Sequence, residues 1–492
     1  MKLPRGGLSS APGLALLLAA LALARLAAMV LLPLMDTTEA RYGEIGRKMA
    51  ELGDWITPWH AEGVPFWGKP PLSFWLTAGS FRLLGVNELA ARLPHFLCAA
   101  LIAALAWDLG RRRDARTAWL ALAVLVGSVL FWVSAGAVMT DGALVLGTTL
   151  CLHAFWLALH APEDAIRTRA GWLFFVGLAL GLLAKGPLAL VLAGAPLLLW
   201  TALMRRWRRV WQSLPWLRGA VLTLVLALPW YGLAERRTPG FLAYFIMGEH
   251  WHRFVTPGWQ GDLYGTAHRY APGTIWLFAA AALLPWTLLL PPAARRGRGQ
   301  PVQSRAADAR EWDAYLLLWA LVPLLFFTPA RNIIWTYPLP ALPAVALLIA
   351  GWWVRQPLRA ERWAAAGLVI SLGLALAGGI AGRASGAIEA ASARPVVRAY
   401  EALHPSGQPL IFVGGRAFSA AFYSRNQARH VERAADIPPA LASAGAFVAV
   451  RADALDTLRA VGFDVSRIEG RFGDVVLVQL SAGPAPQPGV AP

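Results

Sequence analysis

The feature that most constrains this chain is a recurring one. Predominantly apolar runs lie near residues 11–34, 90–109, 117–135, 142–160, 171–184, 187–204, 219–233, 272–291, 313–328, 334–353 and 363–382. A helix crosses the hydrocarbon core of a bilayer with about 20 such residues, within a range near 17–25. A chain built this way folds as a bundle of membrane-spanning helices, here read as eleven with up to thirteen counted. Several runs are short, and Lys185-Gly186-Pro187 reads either as a tight hairpin between two spans or as a break within one. The chain is 57% hydrophobic and 15% charged, with a mean hydropathy of +0.50, against about 45–50% and about 25% in soluble domains. Disorder and a coiled coil are excluded. So is a disulfide scaffold, since the two cysteines, Cys98 and Cys151, both fall within apolar runs.

A formal charge of +17 invites a nucleic-acid reading, but the arginines sit between spans. Arg111, Arg112, Arg113 and Arg116, then Arg167 and Arg169, then Arg205, Arg206, Arg208, Arg209 and Arg218 occupy alternate loops, as do Arg295–Arg310 and Arg355–Arg362. Basic loops mark the cytoplasmic side, so the amino terminus is expected inside. The loops 35–89, 234–271 and 329–333 and the tail are then expected outside. The first run is longer than the 7–15 residues of a signal-peptide core and is read as a retained span. From about 384 onward, β-rich runs (Pro409–Val413, Ala446–Val450, Asp474–Leu480) alternate with helical patterns, which predicts a small α/β extramembrane domain. The expected division is a membrane domain over 1–383, an α/β domain over 384–480 and a disordered tail over 481–492, rich in Pro, Gly and Ala.

The first outer loop is too patterned to be a connector. Tyr42, Ile45, Met49 and Leu52 recur at helical spacing before Gly53, and Leu72, Trp75, Leu76 and Leu83 do so between Pro70 and Gly85. Interfacial helices near 38–53 and 70–85 follow. Asp36 and Glu39 have capping-box spacing. A cation such as Lys69 at a helix start opposes the helix dipole, which points to a fixed anion there, the alternative being a lysine that reaches the headgroups.

The ordered string Glu39-x-Arg41-Tyr42, Gly53-Asp54-Trp55-x-x-Pro58, Lys69-Pro70-Pro71-Leu72-x-x-Trp75 and Asn87-Glu88-x-x-Ala91-Arg92-Leu93-Pro94 resembles the aminoarabinose (4-amino-4-deoxy-L-arabinose) lipid A transferase-like family. These are GT-C glycosyltransferases related to the protein mannosyltransferases. Met139-x-Asp141, Lys185-Gly186-Pro187, Glu249-His250-x-x-Arg253-Phe254 and Thr336-Tyr337-x-Leu339-Pro340 extend the match. The resemblance implies a GT-C-like α-helical polytopic membrane protein with a small C-terminal α/β domain. It also implies an enzyme that moves a hexosyl or pentosyl group from a polyprenyl-phosphate carrier to a lipid A-type or other cell-envelope acceptor. The site and tail would face the periplasm of a bacterial inner membrane. There are departures: the family's glutamate before the Lys-Pro-Pro lysine is Gly68 here, which puts a metal site shared with His250 in doubt. The acidic pair before x-Arg-Tyr is Thr38-Glu39, and the Lys-Leu-Pro before Thr-Tyr is Ile333-Ile334-Trp335.

Both charge signs gather on the expected outer face. Asp36, Glu39 and Asp141 are the catalytic candidates, since a carboxylate can take a proton from an acceptor hydroxyl. Arg41, Lys69, Lys185, Arg253 and Arg331 are the candidates for the carrier phosphate, which becomes the leaving group. Tyr337 and Glu249 are expected carrier or acceptor contacts, and His250 is the metal candidate. No cofactor is demanded, and a divalent metal is left open. The structural alternatives are a capping role for Asp141, a helix-end role for Lys185 and a hydrogen-bonded loop role for His250. The expected partners are the lipid-linked donor, a lipid or glycan acceptor and membrane lipids, with no nucleic acid. A transporter or flippase of lipid-linked sugars is the rival class, in which ionisable groups gather near the midplane of broken helices. Arg25, deep in the first span, flags function by default, with no partner apparent in the sequence.

Overall fold

The computed structural model describes residues 10–482 apart from 257, 266–267, 291–306, 356–358, 404–406, 416, 439, 442–444 and 466. It is a polytopic helical membrane protein with a small strand-containing region near the C-terminus. Each of the eleven apolar runs is wholly or largely helical. Among the described residues, six helices are long and apolar enough to cross a membrane: Ala11–Leu31, Glu88–Arg111, Thr140–His160, Asp164–Lys185, Trp216–Arg237 and Ala360–Ala384. The others are shorter, broken or carry charges in the first turns, as where Ser128 separates Ala115–Gly127 from Val129–Ser134. Of the hairpin and broken-segment readings, the first holds: Asp164–Lys185 and Leu188–Leu203 are two helices joined at Gly186-Pro187.

The chain divides into two compact units. The first comprises Met1–Met29 and Lys48–Leu376, the second Val30–Arg47 and Ala377–Pro492. The sequence reading placed the first outer loop wholly with the membrane domain and the boundary at 383. The start of that loop instead belongs with the tail.

In the first unit, the helical hairpin Thr140–His160/Asp164–Lys185 organises the bundle. Gly147, Gly177 and Gly181 allow its close approach, since a Cβ on Gly147 would lie 2.7 Å from the Gly181 nitrogen. Small residues at such crossings let backbones touch where lipid offers no hydrophobic drive between helices. An aromatic core of Phe155, Trp156, Trp200, Trp312, Tyr315 and Trp319 fills one side of the hairpin. Trp200 donates its indole N–H to the Glu311 carbonyl at 3.0 Å, the usual arrangement for a buried Trp. Arg25 does have partners: its Nε donates to the Ala135 carbonyl and its guanidinium lies over the Trp132 ring. Between the helices Thr38–Leu52 and Leu72–Leu84 runs a hairpin that the sequence reading missed, β1 (Trp59–Ala61) and β2 (Val64–Pro65), turned by Glu62-Gly63 with Gly63 at φ +68°.

In the second unit, β3 (Leu410–Val413), β4 (Arg429–Val431), β5 (Phe447–Arg451), β7 (Ile468–Phe472) and β8 (Val475–Gln479) form a sheet in the order β4-β3-β5-β8-β7. The pairs around β3 are parallel and those around β8 antiparallel. Alternation along the strands covers both faces. Ile411, Val448, Val476 and Val478 pack with Ile437, Leu455 and Leu458, while Leu410, Phe412, Phe447 and Leu477 pack with Val396, Val397 and Tyr400. A separate pair, β6 (Phe463–Asp464) with β9 (Ser481–Ala482), carries the fold two residues past the expected limit of 480. The rest of the expected disordered tail, 483–492, lies outside the described residues.

Candidate active site

Helix geometry brings the first pair together. Asp141 opens Thr140–His160 and Lys185 closes Asp164–Lys185. In an antiparallel hairpin those positions share one end. Lys185 Nζ donates to Asp141 Oδ1 at 2.8 Å, Thr336 Oγ1 donates to the same oxygen at 3.0 Å, and Nζ lies 5.3 Å from the Tyr337 ring centroid. Asp141, Lys185 and Thr336 are buried. Neither a bare cap nor a lysine reaching for headgroups describes this arrangement.

The second cluster joins residues 180 apart in sequence. Lys69, three residues ahead of Leu72–Leu84, donates to Glu249 Oε2 at 2.8 Å and to the Gly68 carbonyl. Glu249 lies on a π-helix, Tyr244–His252, a geometry found disproportionately at functional positions. Arg253 Nη1 donates to Glu249 Oε2 at 3.0 Å and stands 3.4 Å from Asp262 Oδ2, and the Tyr244 hydroxyl donates to Glu249 Oε1 at 3.3 Å. The Glu249 side chain is 4% exposed. Burial pushes its carboxyl up, but Lys69 and Arg253 outweigh burial and hold it at about 2. Glu249 is therefore a fixed anion between two cations. Lys69 has three N–H donors and spends two on these described partners.

His250 ties the clusters together. Its Nδ1 lies 2.7 Å from the Phe245 carbonyl oxygen and its Nε2 lies 3.0 Å from that of Lys185. Burial pushes the ring below its ordinary value, and the two carbonyls pull against it. The neutral ring donates from one nitrogen only, and the other, which keeps its lone pair, faces a carbonyl oxygen and not an open position. The carboxylate that would accompany it is Gly68, where a Cβ would fall 2.9 Å from the Phe66 ring. Among the described residues no group of three or more His, Cys, Asp or Glu side chains is placed to hold a metal. The donor set does not fit a metal site, and His250 takes the hydrogen-bonded role that the sequence offered beside its metal candidacy.

Three expected site residues belong to the second unit. The Asp36 carboxylate accepts from the Ser419 backbone N–H at 3.0 Å and from the Ser419 hydroxyl. Burial raises its pKa, and the bonds from Ser419 and Phe418 restrain the rise. Glu39 accepts from the Met35 N–H at 3.2 Å, whereas the Asp36 N–H that a capping box would give it donates to the Ala391 carbonyl, so the expected capping-box bond is replaced by a different one. The Arg41 guanidinium lies over the Tyr42 and Phe418 rings. Arg331 is exposed, in the first unit. Sequence reasoning missed Thr336, Asp262 and Tyr244 as partners and made nothing of Arg269. Thr336 alone had a signal, since it heads the Thr336-Tyr337 motif.

Residues 13–245 match the dolichyl-phosphate-mannose-protein mannosyltransferase family. The chain is 33% identical over 326 residues to the undecaprenyl phosphate-alpha-4-amino-4-deoxy-L-arabinose arabinosyl transferase of Edwardsiella ictaluri (strain 93-146), covering 65% of this chain and 55% of that one. It is 33% identical over 347 residues to the protein of that name from Pseudomonas paraeruginosa, covering 69% and 59%. The chain is thus similar to the aminoarabinose transferase-like family of GT-C glycosyltransferases. It spans a little over half the length of these relatives. The fold is shared with the ArnT crystal structure from Cupriavidus metallidurans bound to undecaprenyl phosphate, with a TM-score of 0.75 at 20% identity over 95% of this chain and 98% of that one. In this family's terms, the Lys-Pro-Pro lysine, the Glu-His-x-x-Arg-Phe motif, the Met-x-Asp aspartate and the Lys-Gly-Pro lysine form two ion-pair clusters linked by His250.

Proposed function

We propose that the protein is an integral-membrane glycosyltransferase of the bacterial inner membrane. It moves a sugar from a polyprenyl-phosphate carrier to a lipid A-type or other cell-envelope acceptor, with the Lys69 site and the second unit facing the periplasm. The observation that carries this reading is the Lys69–Glu249–Arg253 triad, two cations held on one buried anion. The names of the relatives, aminoarabinose transferases acting from undecaprenyl phosphate, support a pentosyl over a hexosyl donor.

In this reading the carrier phosphate meets the remaining Lys69 donor and the Arg253 guanidinium. As the bond from the sugar's anomeric carbon to the carrier phosphate oxygen breaks, its electron pair leaves with the phosphate and an acceptor oxygen bonds to that carbon; a hydroxyl acceptor gives its proton to a carboxylate, and an already ionised acceptor has none to give. A preorganised cation stabilises that growing charge without reorganising at the moment of reaction. Glu249 supplies the preorganisation by fixing both side chains. Asp141, held by Lys185 and Thr336, presents a second carboxylate at the paired helix ends, where it orients the acceptor. No step requires a metal. The one-ended clustering of charges argues against the transporter reading. Purified protein offered a polyprenyl-phosphate pentose, a polyprenyl-phosphate hexose and a nucleotide sugar tests the proposal. Transfer from the lipid-linked pentose is expected, and turnover with the nucleotide sugar alone would overturn it.

A further inference from the structure

Arg253 has more negative charge beside it than an anion site needs. Its Nη1 stands 3.0 Å from Glu249 Oε2 and 3.4 Å from Asp262 Oδ2. Glu249 alone, set against Lys69 and Arg253, would leave a net positive charge. Asp262 cancels it, so that two cations face two carboxylates. The Asp262 side chain is 6% exposed, and burying a carboxylate carries a desolvation cost that a site built only to attract phosphate would avoid.

The loop holds Asp262 in this place. Its Oδ1 accepts from the Tyr264 N–H at 3.0 Å, a local turn that sets the direction of the carboxylate. The Tyr264 hydroxyl accepts from the Trp67 N–H at 2.9 Å and donates to the Pro65 carbonyl at 2.8 Å. The Leu263 N–H donates at 3.1 Å to the Tyr244 hydroxyl, which in turn donates to Glu249. Asp262 is therefore tied through its neighbours both to the segment ahead of Lys69 and to the π-helix that carries Glu249.

We propose that Asp262 is a specificity-determining residue that distinguishes the emptied carrier from the sugar-loaded one and so promotes product release. The inference rests on the glycosyltransferase reading. The loaded carrier is a phosphodiester with a single negative charge. Transfer breaks the bond between the anomeric carbon and a phosphate oxygen, whose electron pair stays with the phosphate, while the acceptor oxygen bonds to that carbon and any acceptor proton passes to a carboxylate. The carrier left behind is a phosphate monoester, with a charge of about −1.5 to −2 at pH 7. A site with net positive charge would hold this product more tightly than the substrate. A site whose charges cancel gives the added charge no such gain, while the N–H donors of Lys69 and Arg253 still meet the oxygens of either carrier. Asp262 acts through Arg253 and through its own charge, and the departing oxygen is left to the two cations.

The test uses full-length protein in phosphatidylcholine nanodiscs, with a polyprenyl-phosphate pentose and the bare polyprenyl phosphate as probes. Tryptophan fluorescence reads the Kd of each in the absence of acceptor. Asp262→Asn removes the charge and keeps the size and the oxygen that the Tyr264 N–H needs. It is expected to tighten the loaded carrier about threefold and the bare carrier about tenfold, since the logarithm of the change scales with ligand charge and about threefold is the scale of a unit charge some ångströms away under water-like screening. Asp262→Glu should return both values towards the parent's. In turnover the Asn variant should show a first-turnover burst and then a slower steady state, with stronger inhibition by the bare carrier. Weaker binding of both carriers would overturn the proposal and make Asp262 a mere support for Arg253. Equal tightening of both, or no change in either, would overturn it as well. If the Asn variant does not fold, Asp262→Ser, which keeps an acceptor for the turn, makes the same comparison. Preferential tightening of the bare carrier in a protein whose parent transfers no sugar would leave the discrimination standing and defeat the enzyme reading instead.

Discussion

Replacing Glu249 by Gln removes one negative charge and almost no volume. The carboxylate lies 2.8 Å from Lys69 Nζ and 3.0 Å from Arg253 Nη1 in a nearly closed environment. Its pKa falls from an ordinary 4.5 to about 2. At 1.36 kcal/mol per pKa unit, the ionised form gains about 3 kcal/mol from the fold, which agrees with the roughly 3–5 kcal/mol lost when a buried pair is broken. Because the folded pKa is depressed, this contribution is fully present above about pH 4.5 and disappears as pH falls towards 2. Glu249→Gln should therefore unfold at a temperature lower by a few degrees at pH 7, with the gap closing as pH drops through that window, followed by tryptophan fluorescence in detergent at one scan rate. If the carboxylate also fixes Lys69 and Arg253 for the departing phosphate, kcat should fall on the order of 100-fold, the rate equivalent of about 3 kcal/mol. The donor KM should not rise, since the cations are freed rather than lost. A variant with parent stability at pH 7 and near-parent kcat would refute this account of the triad.

Three further outcomes can be checked with the same assays. Lys69→Ala should lower turnover on the order of 100-fold, by analogy with loss of one charge-stabilising donor; the Lys69→Ala/Glu249→Gln double variant should regain stability but not turnover, and a regain of both would make Lys69 structural. Chelation should leave parent turnover unchanged, while Gly68→Glu, which forces its Cβ against the Phe66 ring, should cost about 1–3 kcal/mol of stability and confer no metal dependence; activity lost to a chelator and restored by a divalent ion would contradict the reading of His250. Asp36 has a raised pKa, so its stability contribution is fully present below about pH 3.8 and lost as pH rises through the folded value; Asp36→Asn should unfold at the parent temperature or above it at pH 7, and a clear drop there would show that ionised Asp36 stabilises the fold.

Much of the architecture was legible because the bilayer imposes strong periodicity. The apolar runs became helices, and the helices expected near 38–53 and 70–85 appear as Thr38–Leu52 and Leu72–Leu84. The second of these starts two residues late because Pro71 serves as its N-cap. In the tail, Ala446–Val450 and Asp474–Leu480 shifted by one residue at most to become β5 and β8. The site was legible as composition and not as pairing. Lys69 and Glu249 were both singled out, yet nothing local links residues 180 apart. Asp141 and Lys185 were weighed separately as cap and helix end, although the hairpin that joins them was already one of the readings. The carbonyls that occupy His250 leave no trace in side-chain identity.

The second unit is discontinuous, drawing Val30–Arg47 from near the start of the chain and the rest from beyond Leu376. Inside it, Leu34 N–H donates to the Tyr423 hydroxyl, Asp36 N–H to the Ala391 carbonyl, and Arg394 reaches the Leu31 carbonyl. During synthesis the early strip emerges more than three hundred residues before the partners that satisfy these groups. At about 5–20 residues per second, that is a wait of tens of seconds in which a polar, half-finished segment stands ready for a chaperone or a protease. A deletion that stops near residue 380 would carry the same liability permanently, leaving an orphaned strip in place of a trimmed membrane domain.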